Sequence, residues 1–131
     1  MYDEGKEQKT AFGRVCRAEM GVKMVKIILC DDNRSFLEHL RKEIRAILKD
    51  NKQDSVIHIF ENMEDIPSEL IPQANIFFLD LDFANRNYTG IDIAKRIRSV
   101  NERSVIIFVT NYIQYAPEGY EVQAFRYLLK S

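Results

Sequence analysis

Short apolar stretches alternate with amphipathic ones along most of the chain. Five stretches rich in β-branched and aromatic residues predict five strands: Val25–Cys30, Val56–Phe60, Ile76–Leu79, Val105–Val109 and Phe125–Leu129. The third and fourth stretches are apolar at consecutive positions rather than at alternate ones. Such runs are typical of parallel strands that are covered by helices on both faces.

Apolar residues with helical spacing lie between most of these strands. Six of them after the first strand predict an amphipathic helix of about four turns, with capping-box spacing over Ser35–Glu38. A second stripe, Ile91–Val100, predicts another helix. Weaker patterns predict short helices within Met63–Ile71 and Tyr112–Tyr120, where prolines interrupt the spacing.

This alternation predicts a doubly wound α/β fold, in which helices cover both faces of a five-stranded parallel sheet. The flavodoxin-like strand order 2-1-3-4-5 is the common choice for such a sheet. Residues 1–23 are polar and lack a sustained periodicity, so they predict a flexible N-terminal leader before a domain at 24–131. Met24 directly precedes the first strand, so an over-long start or an expression remnant would explain the leader.

Composition narrows the classes of function. The 131 residues are 46% hydrophobic and 30% charged, as in a soluble globular domain. Nineteen Lys and Arg against twenty Asp and Glu leave a net charge of −1, which gives no case for binding nucleic acid or an anionic membrane. The apolar runs are far shorter than the roughly 20 residues of a membrane-spanning helix. The first residues lack a secretory signal, so we expect a cytoplasmic protein.

Two cysteines are too few for a disulfide framework or a zinc site, and Cys30 is expected to be a small buried side chain. His39 and His58 are expected to be ordinary surface or edge residues. His39 lies on the first predicted helix, and His58 alternates with core positions of the second strand.

Polar side chains follow four of the predicted strands. Asp31 and Asp32 follow the first strand, Asp80 the third, Thr110 the fourth and Lys130 the fifth. Each residue alone is an ordinary cap, turn or solvated residue. In parallel α/β sheets, however, ligands bind at the carboxyl ends of the strands. The coincidence of all five at one edge therefore predicts a functional site there.

This set of residues suits phosphoryl chemistry with Mg²⁺. Three crowded carboxylates repel one another, and a hard divalent cation that takes oxygen ligands relieves the repulsion. A carboxylate can then act as nucleophile toward phosphorus. Lys130 would offer a positive charge to the phosphoryl oxygens, and Thr110 a hydroxyl donor.

Five motifs in order resemble the receiver domain of two-component response regulators, over about Val25 to Lys130. The last motif is most similar to receivers that precede a LytTR-type DNA-binding domain. The motifs are ILCDDN (Ile28–Asn33), IFFLDLDF (Ile76–Phe83), GIDIAKRIR (Gly90–Arg98), IIFVTN (Ile106–Asn111) and EVQAFRYLLK (Glu121–Lys130).

The resemblance implies a role for each acidic residue. Asp80 would be the phospho-acceptor, with Asp32 a direct Mg²⁺ ligand and Asp31 a ligand through water. Asp82 matches the position whose main-chain carbonyl binds the metal. The phosphoryl donor would be a phosphohistidine on a sensor histidine kinase.

The resemblance also implies a switch. Thr110 would be the switch hydroxyl, Tyr127 the aromatic residue that turns inward, and Lys130 the phosphoryl-binding lysine. Phosphorylation would then change the face around the fourth helix and fifth strand, promote a homodimer and control transcription. DNA contact would fall to an effector domain after Ser131, because this chain carries no DNA-binding motif of its own.

Several features depart from the family pattern. The loop between Asp80 and Gly90 is about two residues longer than usual and lacks the usual proline, and Ser131 replaces a proline after the lysine. A pseudo-receiver that keeps the fold and loses the switch is therefore one alternative. The five intact chemical residues argue against it.

A phosphatase is the second alternative. Leu79–Asp82 (LDLD) resembles the opening motif of haloacid-dehalogenase-type phosphatases, which would make this chain an enzyme. That family places the motif on its first strand and has Thr or Val where this chain has Ala84. Here two predicted strands precede the motif, so a non-enzymatic receiver is the favoured interpretation.

Overall fold

The computed structural model describes residues 24–80 and 90–110, together with the backbone of 126–129. Two helices and five strands lie in these ranges, and two 3-10 turns, Met63–Asp65 and Ile71–Gln73, lie between the second and third strands. The elements are β1 (Met24–Cys30), α1 (Arg34–Asp50), β2 (Asp54–Phe60), β3 (Ile76–Asp80), α2 (Gly90–Val100), β4 (Val105–Thr110) and β5 (Arg126–Leu129). Neither α1 nor α2 is long and apolar enough to cross a membrane.

The strands form one sheet in the order β2-β1-β3-β4-β5, and every neighbouring pair is parallel. The register aligns the carboxyl ends of the strands. Cys30 lies opposite Phe60 on one side and Leu79 on the other, and Asp80 lies opposite Val109. The polar residues that follow these positions are therefore brought to a common edge.

Two apolar cores lie on opposite faces of the sheet. On one face, Ile27, Phe78 and Ile107 pack with residues of α1. On the other face, alternate residues of the same strands pack with α2 and with the β2–β3 connection. The residues of β3 are all buried, because both faces of this strand are covered. The continuous apolar runs in β3 and β4 therefore reflect burial on both faces of the sheet, as the sequence predicted.

Asn75 holds the starts of three strands together. Its side-chain Oδ1 accepts a hydrogen bond from the Lys26 backbone N–H at 2.8 Å, and its own N–H donates to the Lys26 carbonyl at 2.8 Å. Its carbonyl accepts from the N–H of Val105 at 2.8 Å. One residue therefore sets the relative position of β1, β3 and β4, whose opposite ends carry the candidate site.

Two local expectations differ from the structure. The cap of α1 is Asn33, and Ser35 lies inside the first turn. Asn33 has an extended backbone, and its side chain accepts a hydrogen bond from the Phe36 N–H at 3.0 Å. No α-helix forms within Met63–Ile71, because Pro67 lacks an N–H and holds the preceding Ile66 in an extended conformation (φ −75°, ψ 115°). The helix predicted at Tyr112–Tyr120 lies outside the described residues.

A Schellman motif ends α1 and places Lys52 in the left-handed region, with φ of 55°. The Gln53 N–H donates to the Leu48 carbonyl at 2.9 Å and the Lys52 N–H to the Lys49 carbonyl at 3.0 Å. Glycine tolerates this conformation better than a residue with a Cβ. We expect Lys52→Gly to raise the free energy of unfolding by about 0.5–1 kcal/mol, measured by urea denaturation.

The matched control is Lys42→Gly, at an exposed site inside α1. It should lower the free energy of unfolding by about 1 kcal/mol, since glycine disfavours a helix interior. A loss of stability in Lys52→Gly would contradict the account of this turn.

Candidate metal and phosphoryl site

Three carboxylates meet at the carboxyl edge of the sheet. Asp31 and Asp32 directly follow β1, and Asp80 is the last residue of the neighbouring strand β3. One carboxylate oxygen from each residue lies within 4.8 Å of those from the other two. Asp31 and Asp80 are buried, whereas Asp32 is exposed. The site is thus open on the side of Asp32 and anchored in the core on the other side.

Backbone hydrogen bonds hold Asp31 in place. Its N–H donates to the Phe60 carbonyl at 3.1 Å, which extends the pairing of β1 and β2 by one residue. Its Oδ1 accepts from the Asn33 N–H at 2.9 Å. Because Asn33 also caps α1, the start of that helix and the orientation of the Asp31 carboxylate are linked. The sequence analysis did not identify Asn33 as the cap of α1. An Asn directly before a stripe of apolar residues with helical spacing could have indicated it.

The negative charge of the site reaches the neighbouring thiol. Cys30 is buried, as expected, with 1% of its surface exposed. Burial, together with the charges of Asp31 and Asp80, raises the pKa of the Cys30 thiol to about 12. Both effects disfavour the charged thiolate, so Cys30 is held in its neutral form beside the two buried carboxylates.

Arg34, at the first position of α1, is the basic residue nearest in sequence to Asp31 and Asp32. Its guanidinium lies 3.2 Å from Glu38 and 3.4 Å from Glu61, and all three side chains are well exposed. These ion pairs engage carboxylates outside the three-aspartate group.

Of the four remaining candidate residues, the structure describes Thr110 and the backbone of Tyr127. Thr110 is the last residue of β4 and is completely buried, beside the strand that ends at Asp80. The backbone of Tyr127 lies in β5, opposite Phe108 of β4. Asp82 and Lys130 lie outside the described residues.

Neither histidine joins the acidic group. His39 is exposed on α1, with its Nε2 3.0 Å from Glu43, and His58 is half-buried in β2. Both observations agree with the expectation of ordinary surface and edge residues.

The donor set fits a hard divalent cation. Three carboxylates supply oxygen ligands only, and Mg²⁺ and Ca²⁺ prefer oxygen to nitrogen or sulfur. Two of the three are buried, so their mutual repulsion is poorly screened and favours a bound positive charge.

No protein-family model matches the chain. The sensory transduction protein LytT of Bacillus subtilis is 33% identical over 108 residues, which are 82% of this chain and 42% of LytT. The receiver domain of AraT, a response regulator of Geobacillus stearothermophilus, is 24% identical with a TM-score of 0.67, covering 81% of each chain. The response regulator TrrA of Thermotoga maritima, solved with Mg²⁺ and beryllium fluoride, is 23% identical with a TM-score of 0.66. That match covers 82% of this chain and 88% of TrrA.

The chain belongs to the receiver-domain family of response regulators. The likeness to AraT and TrrA establishes the flavodoxin-like receiver fold, and the likeness to LytT connects this receiver with regulators of the LytT and LytR type. The chain spans less than half the length of LytT. The activity and partners of a whole regulator are therefore taken up as proposals.

Proposed function

We propose that this receiver domain accepts a phosphoryl group on Asp80 from a phosphohistidine of a sensor histidine kinase. The observation that carries the proposal is the meeting of Asp31, Asp32 and Asp80 at the carboxyl edge of the sheet. Asp80 ends a strand that is buried along its whole length, so the position of its backbone is well defined. In-line phosphoryl transfer needs such positioning of the nucleophile.

The transfer step balances without a further reactant. A carboxylate oxygen of Asp80 forms a bond to phosphorus as the phosphorus–nitrogen bond of the donor histidine breaks. The electron pair of that bond remains on the imidazole, which leaves as the unphosphorylated histidine. The product is an acyl phosphate on Asp80, which we propose as a signal that the chain holds and does not turn over. The non-enzymatic assignment thus follows from the same proposal.

Asp31, Asp32 and Asp80 would hold Mg²⁺ at this edge, together with the main-chain carbonyl of Asp82. Bound Mg²⁺ neutralises charge on phosphoryl oxygens. The presence of Mg²⁺ and beryllium fluoride in the TrrA structure supports the assignment. By the resemblance to receiver domains, Asp31 would act through water, with its Oδ1 held by the Asn33 N–H at 2.9 Å.

We further propose the switch that the sequence suggests. Thr110 would hydrogen-bond the phosphoryl group, Lys130 would pair with its charge, and Tyr127 would turn inward. The face around the fourth predicted helix and β5 would then form a homodimer and control transcription through a LytTR-type domain, without DNA contact by residues 24–131. A cytoplasmic location and a leader at 1–23 stay predictions.

Magnesium binding should shift the backbone amide resonances of residues 31–33 and 80–82, in a titration followed by NMR. We expect Asp32→Asn to weaken the apparent affinity at least about tenfold, since even outer-shell partners of metal sites contribute that much. The matched control is Asp54→Asn, an exposed carboxylate at the opposite edge of the sheet. Unchanged resonances around Asp31 and Asp80 would contradict the metal site.

Phosphorylation should depend on Asp80 and not on Asp82. Asp80→Asn keeps the size of the side chain and removes the nucleophile, so incubation with Mg²⁺ and acetyl phosphate should add no phosphoryl group. Asp82→Asn should still gain one, because its proposed metal contact is main-chain. Intact mass measures both, and thermal melts check folding. If Asp80→Asn gained a phosphoryl group and Asp82→Asn did not, Asp82 would be the acceptor. Repeated hydrolysis of phosphate esters by the wild-type chain would favour a phosphatase.

Beryllium fluoride with Mg²⁺ should increase the sedimentation coefficient of the wild-type chain, if phosphorylation promotes a dimer. Asp80→Asn should have the same sedimentation coefficient with and without beryllium fluoride. Equal sedimentation of the wild-type chain with and without beryllium fluoride would contradict dimer switching, while leaving phosphorylation on Asp80 intact.

A further inference from the structure

The loop that carries Asp31 and Asp32 has only three residues between β1 and α1, and the third is Asn33. Asp32 is exposed, so packing does little to hold its side chain. Its position therefore depends on the two residues that flank it. Asp31 is fixed to the sheet, because its N–H donates to the Phe60 carbonyl at 3.1 Å. Asn33 is fixed to the helix.

Asn33 makes three hydrogen bonds that join the candidate site to α1. Its N–H donates to the Asp31 Oδ1 at 2.9 Å. Its side-chain Oδ1 accepts from the Phe36 N–H at 3.0 Å, and its carbonyl accepts from the Leu37 N–H at 3.0 Å. Leu37 is 1% exposed, in the core beneath α1. One residue thus connects the Asp31 carboxylate with the first buried side chain of the helix.

The side chain of Asn33 keeps its own backbone in the conformation that these contacts need. An N-cap residue has extended backbone angles, here φ of −101° and ψ of 101°, while its side chain satisfies an N–H of the first helical turn. Helix ends fray readily, and without the cap the direction of the Asn33 N–H becomes less well defined. Small displacements matter at this site, because Mg²⁺ demands near-ideal octahedral geometry.

We propose that Asn33 is a positioning residue of the metal site, a role that rests on the proposed binding of Mg²⁺ by Asp31, Asp32 and Asp80. Asn33 acts through its backbone, whose N–H orients the Asp31 carboxylate and whose fixed position holds Asp32 from the other side. Coupling between two equilibria is reciprocal, so Mg²⁺ binding in turn stabilises the first turn of α1.

Loss of the cap should weaken Mg²⁺ binding. In Asn33→Ala the apparent Mg²⁺ affinity should fall about tenfold, as it does when other groups that orient a metal ligand are removed. Asn33→Ser keeps an oxygen that caps a helix as well as Asn does, so its affinity should stay close to that of the wild-type chain. The amide resonance of Asp80, on the neighbouring strand, reports binding in a titration followed by NMR.

Asn51→Ala is the matched control, because Asn51 caps the other end of the same helix. Its side-chain Nδ2 donates to the Ile47 carbonyl at 2.8 Å. Both alanine variants remove a cap from α1 and should melt at a lower temperature than the wild-type chain. Only Asn33→Ala should lose Mg²⁺ affinity, compared at a temperature at which every variant is folded.

Hydrogen exchange measures the reverse effect. Saturating Mg²⁺ should slow exchange of the Leu37 amide, which donates to Asn33, more than exchange of the Gln53 amide, which donates to the Leu48 carbonyl at the far end of α1. The difference between the two amides separates local stabilisation from stabilisation of the whole domain by ligand binding. This difference should be smaller in Asn33→Ala.

The outcomes separate the role of Asn33 from the metal site itself. Equal Mg²⁺ affinities of Asn33→Ala and Asn51→Ala would overturn the role of Asn33 and leave the metal site standing. A loss of affinity in Asn33→Ser as large as that in Asn33→Ala would also overturn it, since the cap would then not be the cause. A wild-type chain that binds no Mg²⁺ would overturn the metal site, and this proposal with it.

Discussion

Burial of the central strands on both faces is the constraint on which the rest of this structure depends. β1 and β3 run between the α1 core and the α2 core, so neither strand can shift its register without moving apolar side chains out of both. Asn75 fixes the starts of the same strands. With one end fixed and both faces packed, the position of Asp80 at the other end is determined to within the precision of the core.

That precision brings like charges together at an energetic cost. Asp31 and Asp80 are buried with carboxylate oxygens close to each other and to Asp32, and their field reaches the Cys30 thiol. Backbone donors, such as the Asn33 N–H, offset part of the cost. The remainder favours a divalent cation, which under the proposed function would offset the repulsion between these carboxylates and an incoming phosphoryl group.

In the β2–β3 connection, the local sequence prevents the helix that a doubly wound fold usually has at this place. Pro67 prevents a helix here, yet Ile66 and Ile71 still reach the α2-side core. The connection thus buries apolar side chains in the core, but it does not form a helix that covers the whole of β2. The exposed side chains of Met24 and Val56 are the consequence.

The sequence by itself determined the strands and the two long helices, because hydrophobic periodicity reports burial directly. It also placed the acidic residues at the ends of the first and third strands. It also indicated the receiver family through motifs that include Asp80 and Thr110. Only the tertiary structure decided that α1 is capped by Asn33 rather than Ser35, and that oxygens of Asp31, Asp32 and Asp80 lie within 4.8 Å of one another. Capping depends on the backbone angles at the end of β1, and the distances depend on strand register. Both are set by contacts between residues far apart in sequence, which no local pattern contains.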